Sequence, residues 1–289
     1  MIFFIYQIGI FLALRLKLKT AYKIADFIGR LYSFLSLADS LALRDNLRQI
    51  LPDAPKKEIT RISREVFINF CKYLVDFFRY PIIDEKYIKE NIRIEGLEHL
   101  DKAILNKKGV ILISAHIGNW EMGAVVLAKL GYNLNVVALG HKHKKIDKFF
   151  AQRRQMLGVK VISFGSALRK CFVCLAQNEL LALVGDRDYF DNGVQVPFFN
   201  KNTIMPKGPA ALSLRFTAPI VPTFMIRGSD DTLTFKFSPA IEYIPTGDRD
   251  ADIMFLTIKC TKVIEGVVRE HPEQWYVFRR FWKKIGWKL

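Results

Sequence analysis

Cysteine is scarce in this sequence, and the four cysteines that occur do not form a recognisable framework. Cys171 and Cys174 are separated by two residues, but no second pair and no nearby histidine completes a zinc site. Both lie in the segment LRKCFVCLAQNEL, whose apolar pattern is typical of a helix. We therefore expect buried free thiols in a reducing compartment, and no disulfide framework.

Several catalytic motifs are also missing. The chain contains no H-E-x-x-H zinc motif and no G-x-S-x-G nucleophile elbow, and the nearest string to the latter, SFGSA, lacks its pattern. A cysteine nucleophile has no positional support in the sequence. We therefore expect neither a metal site nor an activated serine.

A hydrophobic run long enough to cross a bilayer is missing as well. The N-terminal run ends at Leu14, short of the ~20 residues that a spanning helix needs. It also lacks the flanking features of a secretory signal. A second apolar stretch, residues 24–38, is interrupted by Asp26 and Arg30. We expect a membrane-inserting or interfacial helix followed by an amphipathic helix; a single tilted span and a core helix are the alternatives.

Acidic residues are outnumbered, since 44 Lys and Arg against 28 Asp and Glu give a formal net charge of +16. Such an excess favours a polyanionic partner, either nucleic acid or an anionic membrane surface. Hydrophobic residues make up 51% of the chain, 23 Phe among them, and the mean hydropathy is +0.12. This apolar content argues against disorder and favours the membrane surface over nucleic acid.

Helical patterns fill residues 1–85, whereas strands and helices alternate over residues 86–289. In the first part, Asp53 is the predicted N-cap of a helix that Pro81 ends. In the second part, strands are predicted at 92–96, 109–115, 133–139, 159–163, 181–186, 218–227 and 232–238. The sequence thus predicts an α/β fold, with a mixed central β-sheet flanked by helices and an N-terminal helical, membrane-associating extension.

One segment, ISAHIGNWEMG at 113–123, concentrates polar residues at the end of a predicted strand. On a regular helix, His116 and Glu121 would point about 140° apart, so either their pairing is accidental or the backbone turns between them, at Ile117 and Gly118. Asn119 is the predicted N-cap of the following helix. Sites in open α/β sheets form at the carboxyl ends of strands. A carboxylate-oriented histidine there is a general base, and without a protein nucleophile it predicts direct attack by a substrate hydroxyl.

This segment and three others resemble the bacterial lipid A late acyltransferases (the lauroyl and myristoyl transferases) of the lysophospholipid acyltransferase superfamily. AHIGNWE is similar to the H-x4-E/D motif, residues 185–227 to the D-x-D block, residues 271–283 to the C-terminal signature, and FFAQRRQMLGVKVI to the arginine motif. The similarity covers about residues 90–285. Two departures are Arg187, where the family is often neutral, and Asn200, where it usually has a small residue such as glycine.

The resemblance implies a reaction and a set of site residues. A fatty acyl group would pass from an acyl carrier protein or coenzyme A thioester to a hydroxyl of a lipid A precursor, without a cofactor. His116 would be the general base and Glu121 its orienting carboxylate. Arg153 or Arg154 would bind phosphate or stabilise the oxyanion. The other substrate-binding residues that we assign are Asn119, Asp186, Asp188 and Lys207, of which the two aspartates would hold that arginine or the acceptor head group.

The resemblance also implies a bacterial inner-membrane protein with its catalytic domain on the cytoplasmic face. Cations alternate with aromatic or histidine residues in the runs at 141–145 and 279–288, which suits lipid head groups. Two alternatives stay open: an acyltransferase for another lysophospholipid or glycolipid, such as a phosphatidylinositol mannoside, and a non-catalytic protein that binds anionic lipid or nucleic acid. The His116–Glu121 pair together with the D-x-D block favours an enzyme, and we expect no nucleic-acid partner.

Overall fold

The computed structural model describes residues 2–138, 144–163, 167–189 and 192–282. Residues 141–143 and 283–288, which belong to the two predicted basic runs, lie outside these ranges. Four helices precede an alternation of strands and helices. The elements in chain order are α1 (Ile2–Arg15), α2 (Leu18–Leu35), α3 (Leu37–Ile50), α4 (Lys56–Arg79), α5 (Glu85–Asn91), β1 (Ile92–Glu95), α6 (Leu97–Ile104), β2 (Val110–Ser114), α7 (Trp120–Lys129), β3 (Leu134–Ala138), α8 (Lys144–Gln155), β4 (Lys160–Ser163), α9 (Ala167–Ala176), β5 (Leu180–Val184), β6 (Val194–Phe198), β7 (Lys201–Met205), α10 (Gly208–Phe216), β8 (Ile220–Arg227), β9 (Leu233–Phe237) and α11 (Arg249–Glu270).

Seven of these strands form one mixed sheet in the order β1-β9-β8-β2-β5-β3-β4. β2 lies near the centre, between its parallel neighbours β8 and β5, whereas β9 runs antiparallel to β8. Each strand of this sheet falls where the sequence predicted one. The predicted mixed α/β fold is therefore confirmed, although several strands begin or end one or two residues from the predicted bounds.

Helices cover both faces of the sheet, which explains why β2 is apolar at nearly every position. Ile111 and Ile113 pack into the cluster that includes Cys171 of α9 and Ile264 of α11. Leu112 points the other way, into the cluster of α6 and α7. Alternate side chains of a strand face opposite sides, so a strand buried on both sides must be hydrophobic throughout. Cys171 and Cys174 are buried free thiols, as predicted, Cys260 is a third, and the free thiol of Cys71 is half-buried.

The first helices pack onto the α/β part rather than standing apart from it. Phe77 and Tyr80, at the end of the α4 segment, are fully buried in the cluster that also contains Leu112. Arg79 donates to the carbonyl oxygens of Ala13 and, at 3.0 Å, Leu16, which fixes α1 against α4. Among the residues that the structure describes, no helix has both the length and the apolar character needed to cross a membrane.

The predicted helix cap at Asp53 is wrong. α4 begins at Lys56, and the residue before it is Pro55, with φ −65° and ψ 152°. Proline fixes φ near this value and lacks an N–H, so it suits a position where no helical donor is needed. Asp53 lies in the preceding turn, too early in the chain to accept from the first helical N–H groups.

A hairpin that the sequence analysis did not predict stands outside the main sheet. β6 and β7 pair antiparallel, and the turn between them consists of Phe199 and Asn200, with φ values of 51° and 59°. Asparagine adopts this left-handed conformation more readily than other residues with a side chain, after glycine. Asn200 therefore suits the turn at which the resembling family usually has a small residue.

Candidate active site

The turn that carries His116 is folded tightly against β8. Gly118 has φ +59°, and a Cβ atom there would lie 2.0 Å from the Met225 carbonyl oxygen, so only glycine fits. The Asn119 backbone N–H donates to that same carbonyl at 2.8 Å, and the Gly118 N–H donates to the Gln274 carbonyl at 2.9 Å. The predicted bend between His116 and the helix α7 is confirmed, and it is held by two distant parts of the chain.

His116 pairs with a carboxylate from the neighbouring strand. Its Nδ1 lies 2.7 Å from Oδ1 of Asp186, and the Trp275 indole donates to the other oxygen, Oδ2, at 3.0 Å. The register of the two strands explains this contact. Ser114 of β2 lies opposite Val184 of β5, so His116 and Asp186, each two residues further along, are brought together. Burial alone would raise the pKa of Asp186, but His116 and Arg187 hold it well below its usual range, so the carboxylate is ionised.

The environment of His116 keeps the imidazole neutral. Burial and the nearby Arg187 guanidinium lower its pKa, and this effect exceeds the opposing attraction of Asp186. In the neutral ring, Asp186 fixes the proton on Nδ1, which leaves Nε2 to accept a proton. This is the state that a general base needs at neutral pH.

Glu121 does not fill the orienting role predicted for it, because Arg154 of α8 takes both of its oxygens. The Arg154 Nε and a terminal nitrogen lie 2.8 and 2.5 Å from the two Glu121 oxygens. Glu121 lies in the first turn of α7 and faces α8, whereas Asp186 follows β5 and lies next to His116. The ion pair occupies the Nε and one terminal nitrogen of Arg154, and both side chains line the cavity beside His116, so the predicted contact of Arg154 with an oxyanion or phosphate stays a prediction. Burial would lower the Arg154 pKa, but Glu121 raises it above its ordinary value.

Two predicted substrate-binding residues, Asn119 and Arg153, are not among the described residues that line the cavity beside His116. The Asn119 amide is buried and used at both ends, since its oxygen accepts from the Met122 N–H at 3.1 Å and its nitrogen donates to Asp76 at 2.8 Å. Its predicted role as N-cap is confirmed, and both polar atoms of its side chain are bonded within the protein. The Arg153 guanidinium lies 5.1 Å from the centre of the Phe149 ring, on the α8 surface.

Asp188 and Lys207 do reach the cavity. Asp188 is buried and accepts from the Gly193 N–H at 2.8 Å, which ties it to the loop before β6. Lys207 is exposed at the start of α10. The structure thus brings these two residues to the same space as His116, where a ligand could meet all three.

The cavity has a volume of about 1220 Å³ and combines polar groups around His116 with a long apolar wall. Leu112, Leu134 and Met225 contribute to that wall from one face of the sheet. Leu134 is paired with Leu180, which is paired with Val110, six positions before His116. At about 3.3 Å per residue, the wall extends roughly 20 Å down from the histidine. A space of this shape suits an extended alkyl chain.

Arg187 is a functional candidate that the sequence analysis noted only as a departure from the family pattern. Its Nε lies 3.7 Å from Asp186 Oδ2, one of its terminal nitrogens donates to the Tyr276 carbonyl at 2.6 Å, and its side chain lines the cavity. The position of Arg187 directly after Asp186 was the feature of the sequence from which a functional role could have been predicted. A guanidinium here brings positive charge to the site of proton transfer.

We expect Arg187→Gln to change the pH dependence of turnover. In the wild type, the His116 pKa lies below its ordinary value of 6.5, so the rate should already be on its plateau at neutral pH. Removal of the Arg187 charge favours the protonated imidazole and raises the His116 pKa, which moves the acid limb of the kcat profile to higher pH. Arg187→Lys keeps the charge and should leave the limb in place. An unchanged limb in Arg187→Gln would contradict this assignment.

Neither a metal nor a thiolate is indicated by the geometry around the cavity. Among the described residues, no three His, Cys, Asp or Glu side chains are grouped as metal ligands. Cys171 lines the cavity, but burial raises the pKa of its thiol to about 11, so it is protonated at neutral pH and a poor nucleophile. The arrangement instead suits direct attack by a bound hydroxyl that His116 deprotonates.

The fold and the site are those of an α/β acyltransferase, with a histidine at the carboxyl end of a parallel strand beside a cavity that has a long apolar wall. Comparison with known proteins agrees with this class. The chain belongs to the bacterial lipid A biosynthesis acyltransferase family, whose model matches residues 1–284. The resemblance found in the sequence is therefore confirmed, and the family implies an acyl donor and a lipid acceptor.

Relatives from two branches of this family are similar to the chain. The phosphatidylinositol mannoside acyltransferase of Mycobacterium tuberculosis is 27% identical over 83% of this chain and 76% of its own length. The protein of the same name from Mycolicibacterium smegmatis is 30% identical over 62% of this chain and 60% of its own length. The lipid A biosynthesis palmitoleoyltransferase of Escherichia coli is 25% identical over 86% of this chain and 80% of its own length.

Proposed function

We propose that this protein transfers a fatty acyl group from an acyl carrier protein or coenzyme A thioester directly to a hydroxyl of a lipid A precursor. The observation that carries the proposal is the His116–Asp186 pair beside a cavity whose apolar wall extends roughly 20 Å along the strands. The pair supplies a base for the hydroxyl, and the wall accommodates the acyl chain. Membership of the acyltransferase family supports the same reaction.

The proposed reaction proceeds without a covalent enzyme intermediate. The acceptor hydroxyl donates to Nε2 of His116, and as its oxygen bonds to the thioester carbonyl carbon its proton moves to Nε2. Asp186 stabilises the imidazolium, and the Arg187 charge favours the negative oxygen of the tetrahedral intermediate. When the carbon–sulfur bond breaks, the imidazolium returns the proton to the leaving thiolate. The products are an ester and a free thiol, and no metal or prosthetic group takes part.

The depth of the apolar wall should set the preferred acyl chain length. Leu134→Ala removes a buried side chain at the deep end of the cavity and should shift the preference toward longer thioesters, measured as kcat/KM across a series of chain lengths. Leu180→Ala is the matched control, because Leu180 is paired with Leu134 and buried, yet is not among the described residues of the cavity lining. Both changes lower stability by about 2–5 kcal/mol. A shift of the same size in both variants would contradict the assigned depth.

A second acceptor class is favoured by the relatives named phosphatidylinositol mannoside acyltransferases, two of which are 27% and 30% identical to this chain. We therefore propose a phosphatidylinositol mannoside as the alternative acceptor. Both candidates are membrane glycolipids that carry free hydroxyls, and Asp188 and Lys207 at the cavity are the polar groups that would contact the head group.

One experiment decides among the acceptors. The purified protein is incubated with either thioester donor and with a lipid A precursor, a phosphatidylinositol mannoside or lysophosphatidate, and the lipids are analysed by mass spectrometry. We expect the lipid A precursor to gain the mass of one acyl group. Acylation of the mannoside alone would establish the second candidate. If no lipid is acylated and the thioester is not hydrolysed either, the protein is a non-catalytic lipid binder.

We also propose that the protein acts at the cytoplasmic face of a bacterial inner membrane, held there through α2 and its neighbours. Large apolar side chains on this part of the surface are exposed, among them Phe27, Phe34 and Leu35 at 67%, 65% and 72%. Lys17, Lys19 and Lys23 lie along the same helical region. An exposed apolar face bordered by cations is typical of a helix that lies in the lipid head-group layer.

We expect the double variant Phe27→Ser and Phe34→Ser to bind anionic vesicles at least ten-fold more weakly than the wild type, as measured by co-sedimentation. Burial of one large apolar side chain contributes about 1.5–3 kcal/mol, and 1.4 kcal/mol corresponds to ten-fold. Added salt should weaken the binding of both proteins, since the attraction between the cationic surface and anionic lipid is screened. The control is the double variant Leu105→Ser and Ile244→Ser, which replaces two apolar residues that are exposed on other parts of the surface. Equal loss in the control would contradict the assigned face.

A further inference from the structure

A single buried carboxylate connects three separate parts of the fold. Asp76 lies in α4 and is fully buried. Its Oδ1 accepts from the Tyr22 hydroxyl of α2 at 2.5 Å, and its Oδ2 accepts from the Asn119 amide at 2.8 Å. The Arg227 guanidinium, at the end of β8, donates to the same Oδ2. Asp76 thus joins α2, the turn after β2 and the end of β8.

The hydrogen bond between Asp76 and Asn119 helps to fix the position of His116. The Asn119 side chain caps α7 through Met122, and its backbone N–H is bonded to Met225 of β8. Only two residues separate it from His116, and one of them is Gly118, which is packed against the Met225 carbonyl. Movement of the Asn119 amide would therefore move the turn, and the turn carries the base.

The Arg227 end supports the same turn from the other side. The Arg227 backbone N–H and carbonyl bond to the Gln274 side chain at 2.9 Å each, and the Gln274 carbonyl accepts from Gly118. Burial alone would lower the Arg227 pKa, but Asp76 and Tyr22 raise it above its ordinary value. Arg227 therefore stays charged and keeps its bond to Asp76.

The Tyr22 end brings α2 into this network. Burial, followed by the charge of Asp76, raises the Tyr22 pKa well above its usual value, so its hydroxyl remains a donor. Further along α2, a Cβ on Gly29 would lie 2.6 Å from the Ile68 Cα, which shows that the backbones of α2 and α4 are in close contact. The same helix exposes Phe27 and Phe34 on its outer side. α2 therefore lies between the surface and the support of the catalytic turn.

We propose that Asp76 and Tyr22 are positioning residues that hold the His116 turn through Asn119, so that the placement of α2 controls the alignment of the base. This proposal rests on the acyl-transfer function proposed above. Asp76 and Tyr22 do not touch substrate in this arrangement. They fix the imidazole relative to a bound hydroxyl, and small errors in such alignment reduce the rate of the chemical step more than the binding of substrate.

Tyr22→Phe tests the proposal with the loss of one oxygen atom. The ring, which lies 4.8 Å from the Arg227 guanidinium carbon, is retained, so the packing of α2 is preserved. We expect kcat for thioester turnover to fall roughly ten-fold, with KM within about two-fold of the wild type, because misplacement of about 1 Å can cost ~10²-fold and two of three supports remain. Asp76→Asn, which also weakens the Arg227 contact, should lower kcat further.

Tyr132→Phe is the matched control. Tyr132 also donates to an aspartate, Asp101, at 2.6 Å, but it lies beyond the opposite end of α7 from Asn119. We expect the control to keep the wild-type kcat. If Tyr22→Phe and Tyr132→Phe have the same kcat, the positioning role is overturned.

Hydrogen exchange of the backbone amides separates this proposal from the proposed reaction. In Tyr22→Phe, exchange at residues 116–123 should be several-fold faster than in the wild type, and in Tyr132→Phe it should be unchanged. A fall in kcat without faster exchange at 116–123 would overturn the positioning role. If the wild type turns over no thioester and acylates no lipid, the proposed function fails, and the exchange comparison still decides whether Tyr22 and Asp76 hold the turn.

Discussion

His116→Ala should reduce kcat by about 10²–10⁴-fold, the usual contribution of a general base. His116 presents Nε2 toward the cavity while Asp186 holds Nδ1, and no alanine side chain can take the hydroxyl proton. Because the lost interaction belongs to the chemical step, KM for the thioester should change little. Steady-state kinetics with a thioester and a lipid acceptor measure both constants.

His271→Ala is the control for this variant. His271 also faces a carboxylate, with its Nδ1 3.9 Å from Glu273, but it is not among the described residues that line the cavity. Its replacement should leave kcat within about two-fold of the wild type, as expected for a surface change away from special features. Near-normal activity of His116→Ala, or a labelled acyl group covalently attached to Cys71, Cys171, Cys174 or Cys260, would exclude the direct-transfer mechanism.

Asp186→Asn should reduce kcat by a similar factor, about 10²–10⁴-fold, since loss of the orienting carboxylate of a histidine can cost up to ~10⁴. An amide lacks the charge that stabilises the imidazolium and can pair with the wrong tautomer. Glu121→Gln should cost less, because Glu121 is hydrogen-bonded to Arg154 rather than to His116 and acts on the base only through its charge. Measurement of kcat for the two single variants at saturating donor distinguishes them.

The double variant His116→Ala with Asp186→Asn completes the comparison. Two residues that act as one unit give non-additive losses, so the double variant should be little slower than His116→Ala. If Glu121→Gln proves as damaging as Asp186→Asn, the substrate complex has a different pairing, in which Glu121 and not Asp186 orients the base. That result would restore the pairing which the sequence spacing first suggested.

The sheet could be predicted because its strands have an unambiguous local pattern. β2, for example, is a short and almost wholly apolar run, as expected of a strand that helices cover on both faces. The β6–β7 hairpin has no such pattern. β6 contains Pro197, β7 is mostly exposed, and the turn at Phe199 and Asn200 lacks the Asn-Gly pair that signals a hairpin.

The sequence predicted which residues belong to the candidate site, but not which of them contact one another. His116, Glu121 and Asp186 all stood out, because each follows or begins a recognisable element. The pairing was wrong because Glu121 is near His116 in sequence, whereas Asp186 is near it only once β5 has paired with β2 in a particular register. A single sequence does not contain that register directly. His116 and Asp186 each lie two residues past the end of a strand, and this shared position was the feature of the sequence that could have indicated their contact.

The supports of His116 come late in the chain. Its turn is bonded to Met225 and Gln274, and the carboxylate that orients it is anchored by Trp275. During synthesis the ribosome therefore completes the histidine more than a hundred residues before it completes the parts that align it. A nascent or prematurely terminated chain therefore lacks the residues that align the base, and full alignment of His116 has to await the end of synthesis.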